Sequence, residues 1–250
     1  MLGQARSRAL GSAHLAASER WRGQIDHLVR EWDFRLLLGL ALLIAVDSGL
    51  VAIYSFHKIY HLLHEGDRID LDLRWHIGSD DSYAEMFGYA KAAAVVALLI
   101  ATHCQSRKWM YSIWAGVFAY VLLDDALLIH ERLGRALAGP SSSDWAWDLG
   151  QLAVWLAVGM VLLAITVASL VRSAGQDRTN GGLLLVALLA LGFFAVGVDL
   201  VHVVFRTSFP GANQLFTVIE EGGEQLVLTL AVALAVLIRR SQRRSAVLGP

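Results

Sequence analysis

The sequence predicts an all-α fold, a polytopic membrane helix bundle with six transmembrane helices and an N-terminal interfacial helix. The first observation is composition: 56% of the 250 residues are hydrophobic and only 17% are charged, whereas soluble domains usually carry about 25% charged residues. The second is a set of apolar stretches, each near the roughly 20 residues that cross a bilayer. They lie at 35–56, 87–105, 109–131, 149–171, 183–205 and 214–238.

Each apolar stretch is predicted to be a helix, because an unpaired backbone in lipid is very costly. None of the stretches contains a proline, since the prolines are Pro140, Pro210 and Pro250. Residues 13–33 are predicted to form an amphipathic helix on the membrane surface, since apolar residues recur there at helical spacing opposite charged ones.

Basic residues predict the orientation of the bundle. Most lysines and arginines fall in the N-terminal segment, near 107, at 172–178 and in the tail. Because basic loops stay on the cytoplasmic side, both termini are predicted to be cytoplasmic, and no cleavable signal peptide is expected. The chain divides into a cytoplasmic segment 1–34, a six-helix domain 35–238 and a basic tail 239–250.

Composition also excludes several kinds of site and partner. The net charge is −1 and no basic, aromatic-interleaved patch occurs, so no nucleic acid partner is expected. The single cysteine, Cys104, excludes an intrachain disulfide framework and a cysteine-based zinc site. The expected partner is the lipid bilayer, and nothing in the sequence indicates an oligomeric state.

Acidic residues from different spans fall at one predicted depth, in the outer half of the membrane. Inserting an aspartate at the middle of a span costs about 2.5–3.5 kcal/mol, so these side chains are not expected to face lipid. Nearby cations are few: Lys91, Arg132 and Arg206. Protonation, water or a bound metal must therefore compensate the acids, and a polar chamber open to the outside is predicted. The acids are Asp47, Asp124, Asp125, Glu131, Asp148, Asp199, Glu220, Glu221 and Glu224.

Spacing indicates which of these groups could share a metal ion. Asp199 and His202 are three residues apart and Glu220 and Glu224 four apart, so each pair lies on one helix face. Histidine with carboxylates suits zinc, iron or manganese, and a divalent metal is the predicted cofactor. Gly222 and Gly223 would let another helix or a ligand approach the last span closely. The predicted metal ligands are His130, Asp199, His202, Glu220 and Glu224.

Other interpretations of single residues stay open. Asp124 or Glu131 is the predicted general acid or base, since a carboxyl in such a place can titrate near neutral pH. Asp148 fits a helix N-cap as well as a ligand, and Asp47 with Ser48 fits a helix-packing pair. A second set of histidines, at one face near the end of the first span, consists of His57, His61 and His64.

Three segments together resemble an uncharacterised family of bacterial six-span integral membrane proteins. They are "LLDDALLIHERLG", "VDLVH" and "IEEGGEQLV", with an acidic pair and His-Glu on a middle span and Glu-Glu-Gly-Gly-Glu on the last. The resemblance covers residues 35–238. It implies a location in the bacterial inner membrane and brings no known activity.

The leading functional hypothesis is a metal-dependent enzyme that acts on a lipid or other amphiphile from the outer side. The alternatives are a proton- or cation-coupled transporter or channel using the acids as a relay, and a non-enzymatic sensor or assembly factor. A haem protein is a further alternative, which would leave the abundant acids unexplained. The inner halves of the spans are almost purely apolar, and no two-fold repeat is present, which disfavours transport.

Overall fold

The computed structural model describes residues 23, 25–64, 72–139, 144–205 and 208–248 and contains no strand in these ranges. The predicted all-α fold is therefore confirmed. About half of the interfacial helix predicted at 13–33, namely 13–22 and 24, lies outside the described residues. The helices are α1 (Phe34–Leu63), α2 (Tyr83–Ser106), α3 (Trp109–Ala126), α4 (Ile129–Ala138), α5 (Asp144–Arg172), α6 (Gly175–Gly192), α7 (Asp199–Phe205) and α8 (Ala212–Leu248).

Six crossings of a membrane can be built from these helices. α1, α2, α5 and α8 are each long and apolar enough to span, and so is the continuous rod of α6, a π-helical segment Phe193–Val198 and α7. α3 and α4 together meet the same criteria but are bent by 62°. The chain is accordingly a membrane protein, and its described residues contain five candidate spans and one bent pair.

The bend between α3 and α4 corrects the prediction of one continuous helix over 109–131. The break lies at Leu127 and Leu128, and Leu128 has a left-handed backbone with φ of 51°. A non-glycine residue there is strained by roughly 1–2 kcal/mol. The buried Asp124 carboxylate accepts the backbone N–H of His130 at 3.1 Å, which satisfies a donor at the start of α4 and stabilises the break.

One end of the bundle, here called the proximal end, holds the start of α1 and the C-terminal part of α8. Arg240 bonds the Asp33 carboxylate at 2.9 Å and Arg244 bonds Glu31 at 3.2 Å. The Arg240 guanidinium, together with the Leu36 N–H, holds the pKa of the Asp33 carboxyl below its ordinary value. Both ends of the spanning region meet here, which agrees with six crossings. The opposite end is called the distal end.

Other helices also meet at the proximal end, as expected for helices that cross the membrane in alternating directions. Lys108, just before α3, pairs with Asp177 of α6 at 2.8 Å and bonds Gln242 of α8 at 3.0 Å. The Tyr111 hydroxyl also donates to Asp177 at 3.0 Å. Polar groups thus join α3, α6 and α8 where the helices leave the membrane.

The main hydrophobic core lies in the proximal half, between α2, α3, α6 and α8. Trp114, Phe118, Leu99 and Leu184 are fully buried there. On α8 the core extends to Ala235 and Ile238. Ala235 is 11 residues beyond Glu224, which is about 16 Å along the helix at 1.5 Å per residue. This apolar packing closes the bundle on the proximal side of the acidic residues.

A buried ion pair joins three helices at the level where the core ends. The Lys91 ammonium of α2 contacts the Asp47 carboxylate of α1 at 2.7 Å, the Gln225 carbonyl at 2.8 Å and the Thr229 hydroxyl at 3.2 Å. The Thr229 hydroxyl donates to the other Asp47 oxygen at 2.6 Å. Asp47 is therefore neutralised within the bundle, and it packs with Lys91 rather than in the predicted pair with Ser48.

Replacing one partner of this pair should destabilise the fold more than replacing both. Lys91→Met leaves the Asp47 carboxylate buried without a cation, and we expect a loss of about 3–5 kcal/mol. Asp47→Leu combined with Lys91→Met should recover most of that loss. The measurement is equilibrium unfolding in detergent micelles.

Lys58→Met is the matched control, because the Lys58 ammonium lies over the Tyr54 ring at 5.5 Å and this contact contributes about 1 kcal/mol or less. Equal stability of the single Lys91 variant and the double variant would contradict the assigned pairing.

Candidate functional site

A polar cavity of about 380 Å³ lies at the distal end of the bundle, and we call it the acidic cavity. His130 lines it, and among the described residues no lysine or arginine does. Seven of the nine acids predicted to form a polar layer are in its wall, whereas Asp47 and Asp124 are not. The carboxylates that line the cavity are Asp80, Glu85, Asp125, Glu131, Asp148, Asp199, Glu220, Glu221 and Glu224.

The walls of the acidic cavity come from most of the bundle. α2, α3, α5 and α7 each supply one acid, α4 supplies His130 and Glu131, and α8 supplies three acids. The distal loop at 76–82 contributes Asp80 and packs back through Ile77, which is 2% exposed. The first span adds no acid, in contrast to the prediction, because Asp47 faces Lys91 instead.

Three side chains of this region are close enough together to hold one metal ion. Ligand atoms of Asp199, His202 and Glu220 all lie within 4.8 Å of one another. Zinc binds nitrogen and oxygen at about 2.0–2.2 Å, so small side-chain movements would bring the three atoms onto one ion. A histidine with two carboxylates suits a borderline or hard divalent cation. The residues present therefore fit the predicted metal.

His202 joins the two helices that form this group. Its Nδ1 is 2.9 Å from the Glu220 Oε2, and its Nε2 is 3.0 Å from the Asn213 Oδ1. The ring stacks on Phe216 with centroids 5.8 Å apart. Since both ring nitrogens already have oxygen partners, a bound cation would have to replace one of these two hydrogen bonds.

The π-helical segment Phe193–Val198 places Asp199 and His202 beside α8. π-helical turns are often found at functional sites. The Phe194 ring packs directly on Gly223, where a Cβ atom would collide with it. The close approach predicted for the two glycines is confirmed at Gly223, and it brings α7 within reach of Glu220.

His130 is oriented by an enclosed aspartate. Asp124 is 1% exposed, and it accepts hydrogen bonds from the Tyr120 hydroxyl at 3.2 Å and from the His130 backbone N–H and Nδ1 at 3.1 and 2.9 Å. An ionised carboxylate only accepts, so with Asp124 ionised the His130 ring donates from Nδ1. When that ring is neutral, its Nε2 lone pair is available to a metal or a substrate proton.

Close packing of α4 on α5 brings His130 and Glu131 into the cavity wall. Gly134 and Gly150 meet where the helices cross, and a Cβ on Gly150 would collide with the Gly134 backbone. Glu131 lines the cavity and pairs with Arg135 of its own helix at 2.9 Å. The short helix α4 therefore faces α8 across the acidic cavity.

The predicted metal ligands divide into two sets. Asp199, His202 and Glu220 form the group described above. His130 and Glu224 line the same cavity but do not belong to that group among the described residues, so their role stays a prediction.

Of the three histidines near the end of the first span, two lie close together. The Nε2 atoms of His57 and His61 are 3.0 Å apart. His64 instead bonds the backbone carbonyl of Tyr60 and stacks on the Tyr60 ring. His76 of the distal loop, which sequence reasoning missed, lies 5.3 Å from the His57 ring. Burial lowers the pKa of His76, and the charges of Lys58, His57 and His61 lower it further.

A second cavity, of about 430 Å³, adjoins the first and was not predicted from the sequence. Leucine, methionine, valine and glycine residues of α2, α3, α5, α6 and α8 form most of its wall, and we call it the apolar cavity. Both cavities are lined by Gly88, Asp125, Trp155, Ala195, Val196, Glu224 and Leu228.

Comparison with known proteins identifies the family. The model of a family described as a domain of unknown function (DUF8692) matches residues 35–239, and the chain belongs to that family. Searches of curated proteins and of solved structures found no match. The resemblance to an uncharacterised family is thereby confirmed.

Removing the Asp124 carboxylate should destabilise the bend between α3 and α4. Asp124→Ala leaves the His130 backbone N–H and Nδ1 without their acceptor, and we expect the unfolding free energy to fall by about 2–4 kcal/mol. Thermal or denaturant unfolding in micelles measures the change.

Asp148→Ala, which removes a cavity-lining carboxylate outside this network, should change the stability by about 0.5 kcal/mol or less. The assigned role of Asp124 would be wrong if its removal had no larger effect than that of Asp148.

Proposed function

We propose that this family member is a metal-dependent enzyme that acts on a lipid or other amphiphile within the membrane. Asp199, His202 and Glu220 would bind a divalent cation, namely zinc, iron or manganese. The observation that carries the proposal is that the ligand atoms of these residues lie within 4.8 Å of one another, with two of the three residues in the wall of an intramembrane cavity.

The electrostatics of the acidic cavity support a cation. Nine carboxylates line it, and no lysine or arginine among the described residues lines it with them. Carboxylates in such a place need water, protons or a cation to be stable. A divalent ion held by two carboxylates and an imidazole meets that need locally. Without cysteine or methionine ligands, the site favours harder metals over soft ones.

The remaining cavity residues suggest roles in a reaction. When bound, a divalent cation supplies Lewis-acid polarisation of a substrate oxygen and an activated water. Glu131 lines the cavity and is the proposed general acid or base. Asp124 was the other predicted candidate, but its enclosed position supports a role in orienting His130. His130 and Glu224 would contact the substrate or complete the coordination, since catalytic sites keep positions open.

Transport by an acid relay is less well supported. Such a relay needs a polar route across the proximal half of the bundle. There the fully buried Trp114, Phe118, Leu99 and Leu184 pack between α2, α3 and α6. Among the described residues, the hydrogen bonds around Lys91 do not connect to those around Asp177 at the proximal end. A cavity closed on one side fits binding and catalysis better than conduction.

Metal binding by the purified full chain tests the proposal. After chelator treatment, we expect about one equivalent of zinc to bind in a calorimetric titration and to be recovered by elemental analysis. His202→Ala and Glu220→Gln should each weaken zinc binding at least tenfold, since each removes one ligand. Manganese and iron(II) are titrated in the same way.

The matched control is His103→Ala, because His103 bonds the Lys108 carbonyl at the proximal end, away from the cavity. The control should bind zinc like the unsubstituted chain. No stoichiometric metal in any titration, or equal binding by the His202 and His103 variants, would overturn the metal centre.

For location, we propose the bacterial inner membrane with both termini in the cytoplasm. The basic proximal end and the acidic distal end support this orientation under the positive-inside rule. Cys104, which is exposed near the end of α2, would then face the cytoplasm.

A membrane-impermeant maleimide should leave Cys104 unlabelled in intact cells and label it in inverted vesicles. Cys104→Ser combined with Arg74→Cys should show the opposite pattern, because Arg74 is exposed in the short helical turn Leu73–Trp75 just before the distal loop. Labelling of Cys104 in intact cells would reverse the proposed orientation.

A further inference from the structure

The two cavities together form one amphipathic space. They share seven lining residues, and Asp125 and Glu224 are the acidic ones among them. On one side of these two carboxylates the wall is acidic, and on the other it is leucine, valine, methionine and glycine. Cavities of about 300–1,000 Å³ hold ligands of small-molecule size. A ligand that fills both would need a polar head and an apolar chain.

The apolar cavity opens toward lipid between α5 and α6. Leu156, Met160, Leu163 and Leu189 all line it, and all are also exposed on the bundle surface. Gly159 and Gly192 lie in the same wall, and a Cβ added at either glycine would meet no atom within 4 Å. An alkyl chain could therefore enter sideways from the bilayer without first crossing water.

The polar groups around Asp125 and Glu224, where the two cavities meet, are mainly hydrogen-bond acceptors. If Asp199 and Glu220 hold the metal and Glu131 pairs with Arg135, six of the nine cavity carboxylates have no cation partner among the described residues. Gln225, which also lines that cavity, is 5% exposed, and its Oε1 has no hydrogen-bond partner among those residues. Buried acceptors of this kind are costly when unpaired. A phosphate or carboxylate head would add further acceptors and be repelled.

We infer that the amphiphile is a long-chain amine. Its ammonium head lies between Asp125 and Glu224, within reach of unpaired acceptors such as the Gln225 Oε1, and its alkyl chain occupies the apolar cavity. This inference names the substrate class of the proposed enzyme and rests on that function for its biological role. The binding itself requires only the two cavities and can be measured without metal.

Trp155 gives a direct reporter, because it lines both cavities. The full chain is placed in phosphatidylcholine nanodiscs, and fluorescence quenching is titrated with 12-bromododecylamine. The matched probes have the same brominated alkyl chain, with an alcohol or a carboxylic acid in place of the amine. Subtracting the signal of Trp155→Phe removes quenching of the other tryptophans by probe dissolved in the bilayer.

The amine should quench Trp155 saturably, with a midpoint at least tenfold lower than those of the alcohol and the acid. Asp125→Asn combined with Glu224→Gln should raise the amine midpoint at least tenfold, to about that of the alcohol. Gly159→Leu, which fills the apolar cavity, should weaken binding of the amine. Gly116→Leu is the control on the exposed surface of α3 and should bind the amine normally.

Each contrary outcome overturns a defined part of the two proposals. Equal quenching midpoints for the amine, the alcohol and the acid would show that the site does not select a cationic head group. If no probe quenched Trp155 saturably, the binding site itself would be excluded. Zinc titrations on the same preparations separate the two proposals. Amine binding without zinc binding would overturn the metal centre alone, and zinc binding without amine binding would overturn this inference alone.

Discussion

The cost of placing carboxylates in a bilayer is the constraint on which the arrangement of the helices depends. Each acid in a span must reach water, a donor or a cation, and the helices are rotated so that this happens. Asp47 faces Lys91 and Thr229 in a buried network, and Asp124 faces His130 and Tyr120. Nine other acids converge on one cavity, whose walls they determine.

Helix α8 is central to that convergence, and two irregularities in other helices aim side chains toward it. Glu220, Glu221 and Glu224 occupy its cavity face, and Gln225 and Thr229 bond the Lys91 network. The π-helical segment before Asp199 and the left-handed Leu128 before α4 each interrupt a regular helix next to functional side chains. Such interruptions cost free energy and are kept where the surrounding packing fixes them.

Hydropathy and charge spacing were enough to predict the helical class, the approximate spans and the depth of the acids. These depend on local sequence, since each span is set by membrane thickness. Partner choice depends on tertiary packing, so the sequence did not reveal that Asp47 pairs with Lys91 across two helices. The break at Leu128 carries no glycine or proline signal, because the side chain of Asp124, six residues before the donor His130, stabilises it. The apolar cavity is formed by several helices and has no local signal.

The position of the two cavities within the bundle also favours binding of an amphiphile over conduction. A conducting pathway needs a continuous polar route across the membrane. Here the wall of the acidic cavity ends at Gln225, the closed Lys91–Asp47 pair follows, and the buried Trp114–Phe118 core lies beyond. What continues from the acidic cavity is an apolar space that reaches lipid beside Met160. A molecule that meets both environments at once has to be amphiphilic. The carboxylates at Asp125 and Glu224 then lie where its head joins its chain, in the same cavity as the proposed metal ligands Asp199 and Glu220, and this proximity is what catalysis at the head group requires.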